Sequence, residues 1–111
     1  MRVTRDGEFY RGSHIPGPTH NFLRMRVQPA PNENPELRVL PAIGGCSHGV
    51  ALEAEEALDW IGVGVQRAND ELGTTYGILE AEVVANDSRR PEVYAELARR
   101  IVLAAHGDSG S

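Results

Sequence analysis

The chain has 111 residues, of which 16 are acidic and 11 are basic, so its formal net charge is −5. A chain of this length can bury about two-thirds of its unfolded surface in one domain without disulfides or a metal ion. The acidic balance excludes a general coating of nucleic acid, because that role needs an excess of basic residues over the surface.

The single cysteine, Cys46, excludes an internal disulfide and is typical of a protein in a reducing compartment. Residues 1–10 lack the apolar run of a signal peptide, and no later stretch reaches the roughly 18 apolar residues of a membrane-spanning helix. We therefore expect residues 1–111 to form a single cytoplasmic domain without a membrane partner.

The N-terminal residues predict little regular structure. Val3, Phe9 and Tyr10, with turn chemistry at Asp6-Gly7, indicate a short edge strand within residues 1–10. Residues 11–21, RGSHIPGPTHN, contain two prolines and two glycines and predict an exposed loop. We therefore assign residues 1–18 to an N-terminal arm and loop.

Two stretches of alternating residues predict an antiparallel β-hairpin. Residues 22–28 place apolar and polar side chains on opposite faces, with Leu23, Met25 and Val27 against Arg24, Arg26 and Gln28. Residues 37–43 resume the alternation after a turn-rich connection over residues 29–35. Pro41 lacks the N–H group that a central strand needs, so we expect this second strand to lie at an edge of the sheet or to end at Pro41.

The most regular pattern is an apolar stripe that predicts a helix over residues 50–72. Its members recur at steps of four and three residues: Ala54, Leu58, Ile61, Val65, Ala68 and Leu72. We expect Gly73 to end this helix in the left-handed conformation. Gly62 and Gly64 either allow another element to approach the helix closely or form a kink or ligand contact. A further strand is predicted over residues 76–85, where Leu79, Ala81 and Val83 alternate with Glu80 and Glu82.

Residues 91–105 predict a second helix, followed by a flexible tail over residues 107–111. Its buried stripe comprises Val93, Tyr94, Leu97, Ile101, Ala104 and Ala105. The predicted fold is therefore α+β with two layers, in which a four-stranded, mainly antiparallel sheet carries both helices on one face in the order β-β-β-α-β-α. The open face of the sheet holds either a solvated ladder of opposite charges or a binding platform. Its charged residues are Arg24, Arg26, Arg38, Glu80 and Glu82.

Several short strings, in the same order along the chain, resemble domain IV of elongation factor G. They are VQPAPNENPELRVLPAIGG over residues 27–45, GVQRA over 64–68, YGI over 76–78 and NDS over 86–88. The resemblance covers residues 19–105 and implies the ribosomal protein S5 domain 2-like fold, built as three strands, a helix, a strand and a helix. It also implies that the loops over residues 17–21 and 86–90 lie at one end of the sheet, which in that family reaches into the ribosome.

The chain departs from that family in two respects. It has no GxxxxGK[ST] phosphate-binding string and no room for a GTPase domain, so we do not expect it to be a translational GTPase. The family's loop histidine is absent between Ala85 and Pro91, where Arg89 and Arg90 stand instead. The resemblance therefore bears more on the fold than on the function.

Arg89 and Arg90 precede a predicted helix start, where guanidinium groups and free N–H groups can together contact a phosphate. The candidate binding residues are Arg89, Arg90, His20, Asn21, Arg24 and Arg26. No zinc framework is predicted, because the spacings of Cys46, His48, His14 and His20 match none of the compact ones. We predict no catalytic residue, no metal and no cofactor.

Two hypotheses for a non-enzymatic binding domain follow. In the first, the loop end of the sheet contacts RNA or a component of the translation apparatus. In the second, the chain is a small protein–protein interaction domain, or an accessory or neutralising protein, that acts through its acidic helices or its open sheet face. Self-association through an edge strand or the open face is compatible with both.

Overall fold

A computed structural model describes residues 2–14, 21–40, 54–84 and 91–109. These residues form an α+β fold with a mixed sheet in the order β1-β2-β3-β5-β4, in which β4 and β5 run parallel and the other neighbours antiparallel. The elements are β1 (Arg2–Asp6), β2 (Phe9–His14), β3 (Asn21–Gln28), β4 (Glu36–Leu40), α1 (Ala54–Leu72), β5 (Gly77–Val84) and α2 (Pro91–Ser109). The α+β class is confirmed, with five described strands in place of the four predicted.

One hydrophobic core lies between the inner face of the sheet and the two helices. The predicted stripe of α1 is confirmed for Ile61, Val65 and Ala68, which are buried, while Leu58 and Leu72 pack at its margin. The fully buried side chains of the other elements include Leu23, Met25, Tyr94, Leu97, Ile101 and Val102. Neither helix in the described part of the chain combines the length and apolar composition needed to cross a bilayer.

Residues 2–14, within the segment 1–18 assigned to an N-terminal arm and loop, form a hairpin instead, in which β1 is the short edge strand expected within residues 1–10. β1 pairs with β2 around a turn in which Gly7 has a φ of 64°. Residues 11–14, predicted as loop, belong to β2 because Gly12 lets the strand lie against α2. A Cβ atom at Gly12 would stand 3.0 Å from Leu97 Cδ2. Residues 15–20 lie outside the described part.

The predicted hairpin of the second and third strands is wrong, because β5 lies between β3 and β4. Arg24 on β3 is in register with Glu82 on β5, and Arg38 on β4 is in register with Glu82 from the other side. An acidic outer face on β5 therefore complements the arginines of both neighbours. The prediction that β4 is an edge strand is confirmed.

A β-bulge in β5 changes the predicted alternation. Arg26 pairs with Glu80 and Val27 with Ile78, so Leu79 is the extra residue. Ile78 is consequently buried, whereas Leu79 is half-buried and does not join the core. The inward positions of Ala81 and Val83 are confirmed.

The helix termini differ in how well the sequence predicts them. Gly73 ends α1 with a φ of 68°, as expected, and the N–H groups of Gly73 and Thr74 both donate to the carbonyl oxygen of Asn69. α2, in contrast, continues to Ser109 and includes residues 107–109 of the predicted tail. Asp108 accepts a hydrogen bond of 2.7 Å from the hydroxyl of Tyr10, which ties the last turn to β2.

Candidate functional site

The outer face of the sheet carries a network of ion pairs centred on Arg24. Its guanidinium donates to Glu82, and to Asp6 at 3.1 Å, and it lies 3.7 Å from the centroid of the Phe9 ring. The hydrogen bond to Glu82 raises the pKa of Arg24 above its ordinary value. The side chain of Arg24 is thus held by two carboxylates and one aromatic face.

Arg26 occupies a second position of the same kind. Its guanidinium donates to Glu80 at 2.8 Å and reaches Glu8 at 3.5 Å. The predicted ladder of opposite charges therefore exists across β3 and β5, with Arg38 completing it 4.0 Å from Glu82. Two of the six predicted binding residues, Arg24 and Arg26, lie together here, and carboxylates within the protein neutralise their charges.

The other predicted binding residues lie mostly beyond what the structure describes. Asn21 begins β3, where its backbone is in register with His14 of β2. His20, Arg89 and Arg90 lie outside the described residues. Cys46 and His48, two of the four residues considered above as zinc ligands, also lie outside the described residues. Across residues 2–14, 21–40, 54–84 and 91–109, no three His, Cys, Asp or Glu side chains converge in a way that could hold a metal ion.

A groove of about 230 Å³ lies on the helix side of the sheet, between α1 and the connection from β3 to β4. A second depression of about 190 Å³ extends it toward Thr74 and Thr75. The larger part is lined by Pro31, Asn32, Pro35, Gly62, Val65, Gln66, Asn69, Tyr76, Gly77 and Ile78. Its surface is therefore formed by apolar groups, amides and exposed backbone.

Hydrogen bonds fix the wall formed by residues 29–35. The side-chain amide of Asn32 donates to the carbonyl oxygen of Ile78 at 2.7 Å, and Gln28 donates to that of Pro31 at 3.2 Å. Gly77 allows the wall to approach β5, because a Cβ atom there would collide with the carbonyl oxygen of Ala30. This proline-rich connection is thus a fixed part of the fold.

Asn69 fixes the opposite side of the groove. Its side-chain oxygen accepts hydrogen bonds from the backbone N–H of Tyr76 at 2.8 Å and the hydroxyl of Thr74 at 2.9 Å. Its side-chain amide donates to the carbonyl oxygen of Tyr76 at 3.0 Å. A buried amide with these partners connects the end of α1 to the start of β5 and preshapes the groove.

The groove-facing side of α1 continues into an acidic stripe. Helical geometry places Glu55 and Asp59 on the same side as Gly62, Gln66 and Asn69, because the five are separated by steps of four, three, four and three residues. Glu55 and Asp59 are exposed and pair with no described residue. A Cβ atom at Gly62 would meet nothing within 4 Å, so the helix backbone is open there.

The charges of the described surface are divided unevenly between paired and unpaired groups. Arg99 on α2 forms two hydrogen bonds to Glu71 on α1, of 2.7 and 2.8 Å, and this interaction lowers the pKa of Glu71. Within the described residues, the arginines without an ion pair are Arg2 and Arg5 on β1 and Arg67 on α1. The acids there without a hydrogen-bond or ion-pair partner are Glu33, Glu55, Asp59 and Glu92.

No pattern in the sequence predicted the groove, although Gly62 and the prolines of residues 29–35 stand out in the sequence. Gly62 was the available signal for the groove, because a glycine inside an otherwise strong helix pattern is unfavourable unless packing or function requires it. Comparison of the chain with protein-family models, curated proteins and solved structures finds no match.

Proposed function

We propose that this protein is a non-enzymatic protein-interaction domain, and that its groove beside α1 receives an extended, basic segment of a partner protein. The observation that carries this proposal is the placement of the unpaired acids. Of the four in the described residues, Glu55 and Asp59 extend the groove-facing stripe of α1, and Glu33 lies in the connection that forms the opposite wall. A segment bearing Arg or Lys complements this charge.

The size of the groove fits a peptide better than a cofactor. Its larger part, of about 230 Å³, is by itself below the roughly 300–1,000 Å³ of ordinary small-molecule pockets. The space accommodates one or two apolar side chains over Val65 and Ile78, with flanking basic residues near the acids. Among the described lining residues, Tyr76 alone has a titratable side chain, and this composition supports binding over catalysis.

Selection from a displayed library of random peptides tests the proposal without a known partner. Wild-type protein should enrich sequences that combine Arg or Lys with an apolar residue. The double change Glu55→Ser with Asp59→Ser should weaken binding of those peptides about tenfold or more. The matched control is Glu8→Ser with Glu92→Ser, which removes the same charge on a turn and on α2 and should leave affinity within about twofold.

The competing partner class is RNA. Over residues 19–105, where the sequence resembles elongation factor G domain IV, the element order is β3-β4-α1-β5-α2, and its helix, strand and helix after the strands are in keeping with the translation-related hypothesis. Titration with structured RNA separates the two classes. RNA binding that falls with salt and is lost in Arg89→Ala with Arg90→Ala, together with no peptide enrichment, would replace the protein partner by RNA.

A further inference from the structure

β1 is one of the two edge strands of the sheet, and no described strand lies beside it on the side away from β2. Only Gly7 and Glu8 separate Asp6 from Phe9 in the β1–β2 hairpin, so Asp6 and Phe9 form the hydrogen-bonded pair that closes the turn. Hydrogen-bonded and non-hydrogen-bonded pairs then alternate along the strand. The backbone groups of Val3 and Arg5 consequently point outward, away from β2.

A second copy of β1 fits this edge in an antiparallel, two-fold arrangement centred on Thr4. In that register Val3 of one copy faces Arg5 of the other, so their outward N–H and C=O groups can form four hydrogen bonds across the interface. Arg2 faces Asp6 in both directions. The two-fold arrangement therefore places two pairs of opposite charges across the interface.

The side chains of these pairs are ready to interact. Arg2 is exposed and has no partner among the described residues. Asp6 uses only its Oδ2 atom for Arg11 and Arg24, both at 3.1 Å, so Oδ1 accepts no hydrogen bond from a described residue. Arg2 and Asp6 would form non-hydrogen-bonded pairs, in which side chains on opposite strands lie closest.

The other edge strand, β4, does not place opposite charges against each other when it pairs with a second copy of itself. An antiparallel pairing of two β4 strands in full overlap is centred on Arg38, which would face its own copy. Like charges directly opposite each other destabilise a strand pair. Of the two edge strands, β1 is therefore the one whose charges are complementary when it pairs with a second copy of itself.

We propose that the protein forms a two-fold dimer through antiparallel pairing of β1 with β1, which joins two five-stranded sheets into one. The interface is independent of the proposed partner groove, which involves α1, β5 and the connection before β4, whereas β2 and β3 separate β1 from β5. Partner binding and dimer formation can therefore succeed or fail separately.

Sedimentation equilibrium over a concentration series measures the dimer directly. Wild type should show a monomer–dimer equilibrium, and Arg2→Glu should weaken the dimer at least tenfold, because two repulsive pairs replace two attractive ones. The matched control Arg67→Glu makes the same charge change at an exposed, unpaired position of α1 and should leave the equilibrium unchanged. Arg5→Pro removes one outward N–H group and should also weaken the dimer.

A charge exchange gives the most specific test. Asp6→Arg alone should also weaken the dimer, but an equimolar mixture of Arg2→Glu and Asp6→Arg proteins should form heterodimers, because the opposite charges then face each other again. Thermal unfolding of each variant establishes that it is folded. A wild type that stays monomeric up to about 1 mM, or equal effects of Arg2→Glu and Arg67→Glu, would overturn the proposal. So would a folded mixture that does not associate.

Discussion

At the scale of single residues, a few polar groups connect elements that the apolar pattern leaves undefined. Asn69 is the clearest case, because it ends a helix with its backbone oxygen and holds the next strand with its side chain. Tyr10 has a similar role at the C-terminal end of α2, where its hydroxyl donates to Asp108. The sequence places both residues in predicted elements, but it contains no signal for their partners, since those lie across the fold.

The Tyr10–Asp108 contact predicts a specific dependence of stability on pH. Burial, and next the hydrogen bond to Asp108, raise the pKa of Tyr10 above its ordinary value of 10.0. Because the folded-state pKa is the higher one, the stabilisation is complete below about pH 10 and is lost as the pH rises through the folded-state pKa. Tyr10→Phe should lower the free energy of unfolding by about 1 kcal/mol at neutral pH. It should also reduce the further decrease in the free energy of unfolding at alkaline pH.

Urea unfolding at a series of pH values from neutral to alkaline measures that difference. Asp108→Asn is the control, because it keeps an acceptor oxygen and removes the charge. The free energy of unfolding of this variant should therefore decrease less at alkaline pH than that of wild type. Parallel pH profiles for wild type and Tyr10→Phe would show that the hydroxyl does not contribute as described.

At the scale of elements, periodicity predicted the type of each long segment but not its neighbours. The stripe of α1 and the alternation of β3 specify which faces are buried, and the structure confirms both. β5, far along the chain, lies beside β3, and its Glu82 and Glu80 pair with Arg24 and Arg26. Alternation alone cannot distinguish this arrangement from a β3–β4 hairpin. It also cannot reveal the bulge at Leu79, which depends on the register with β3.

The two glycines of α1 should respond in opposite ways to the same substitution. Gly64 lies against α2, where a Cβ atom would collide with the carbonyl oxygen of Ala95, so Gly64→Ala must push the helices apart. We expect a loss of about 1–3 kcal/mol in the free energy of unfolding. Gly62 has open space beside it, so Gly62→Ala should raise the free energy of unfolding by about 0.5–1 kcal/mol through helix propensity.

Chemical denaturation of the two variants beside wild type provides the measurement, and each variant controls for the other. Equal shifts of the two midpoints would contradict the helix packing described here. A strong destabilisation by Gly62→Ala would show that the groove is occupied by another part of the chain.

At the scale of the whole molecule, the distribution of unpaired charge separates the two sides of the protein. Arg24, Arg26 and Arg38 of the sheet face are matched by acids on β1, β5 and β4, whereas α1 and the wall of residues 29–35 carry acids that have no partner among the described residues. Composition predicted the net acidity, and alternation predicted the charge ladder. The location of the unpaired acids required the fold, because strand order decides which charges find partners.

The most direct test of this account maps where a selected basic peptide binds. Backbone amide chemical shifts of the ¹⁵N-labelled protein, recorded during titration with the most enriched peptide, report the binding surface residue by residue. We predict shifts concentrated at Asn32, Gly62, Gln66 and Asn69, and their loss in the Glu55→Ser with Asp59→Ser protein. Shifts centred on Arg24 and Arg26 of the sheet face, or no saturable shifts, would contradict the assignment of the groove beside α1 as the partner site.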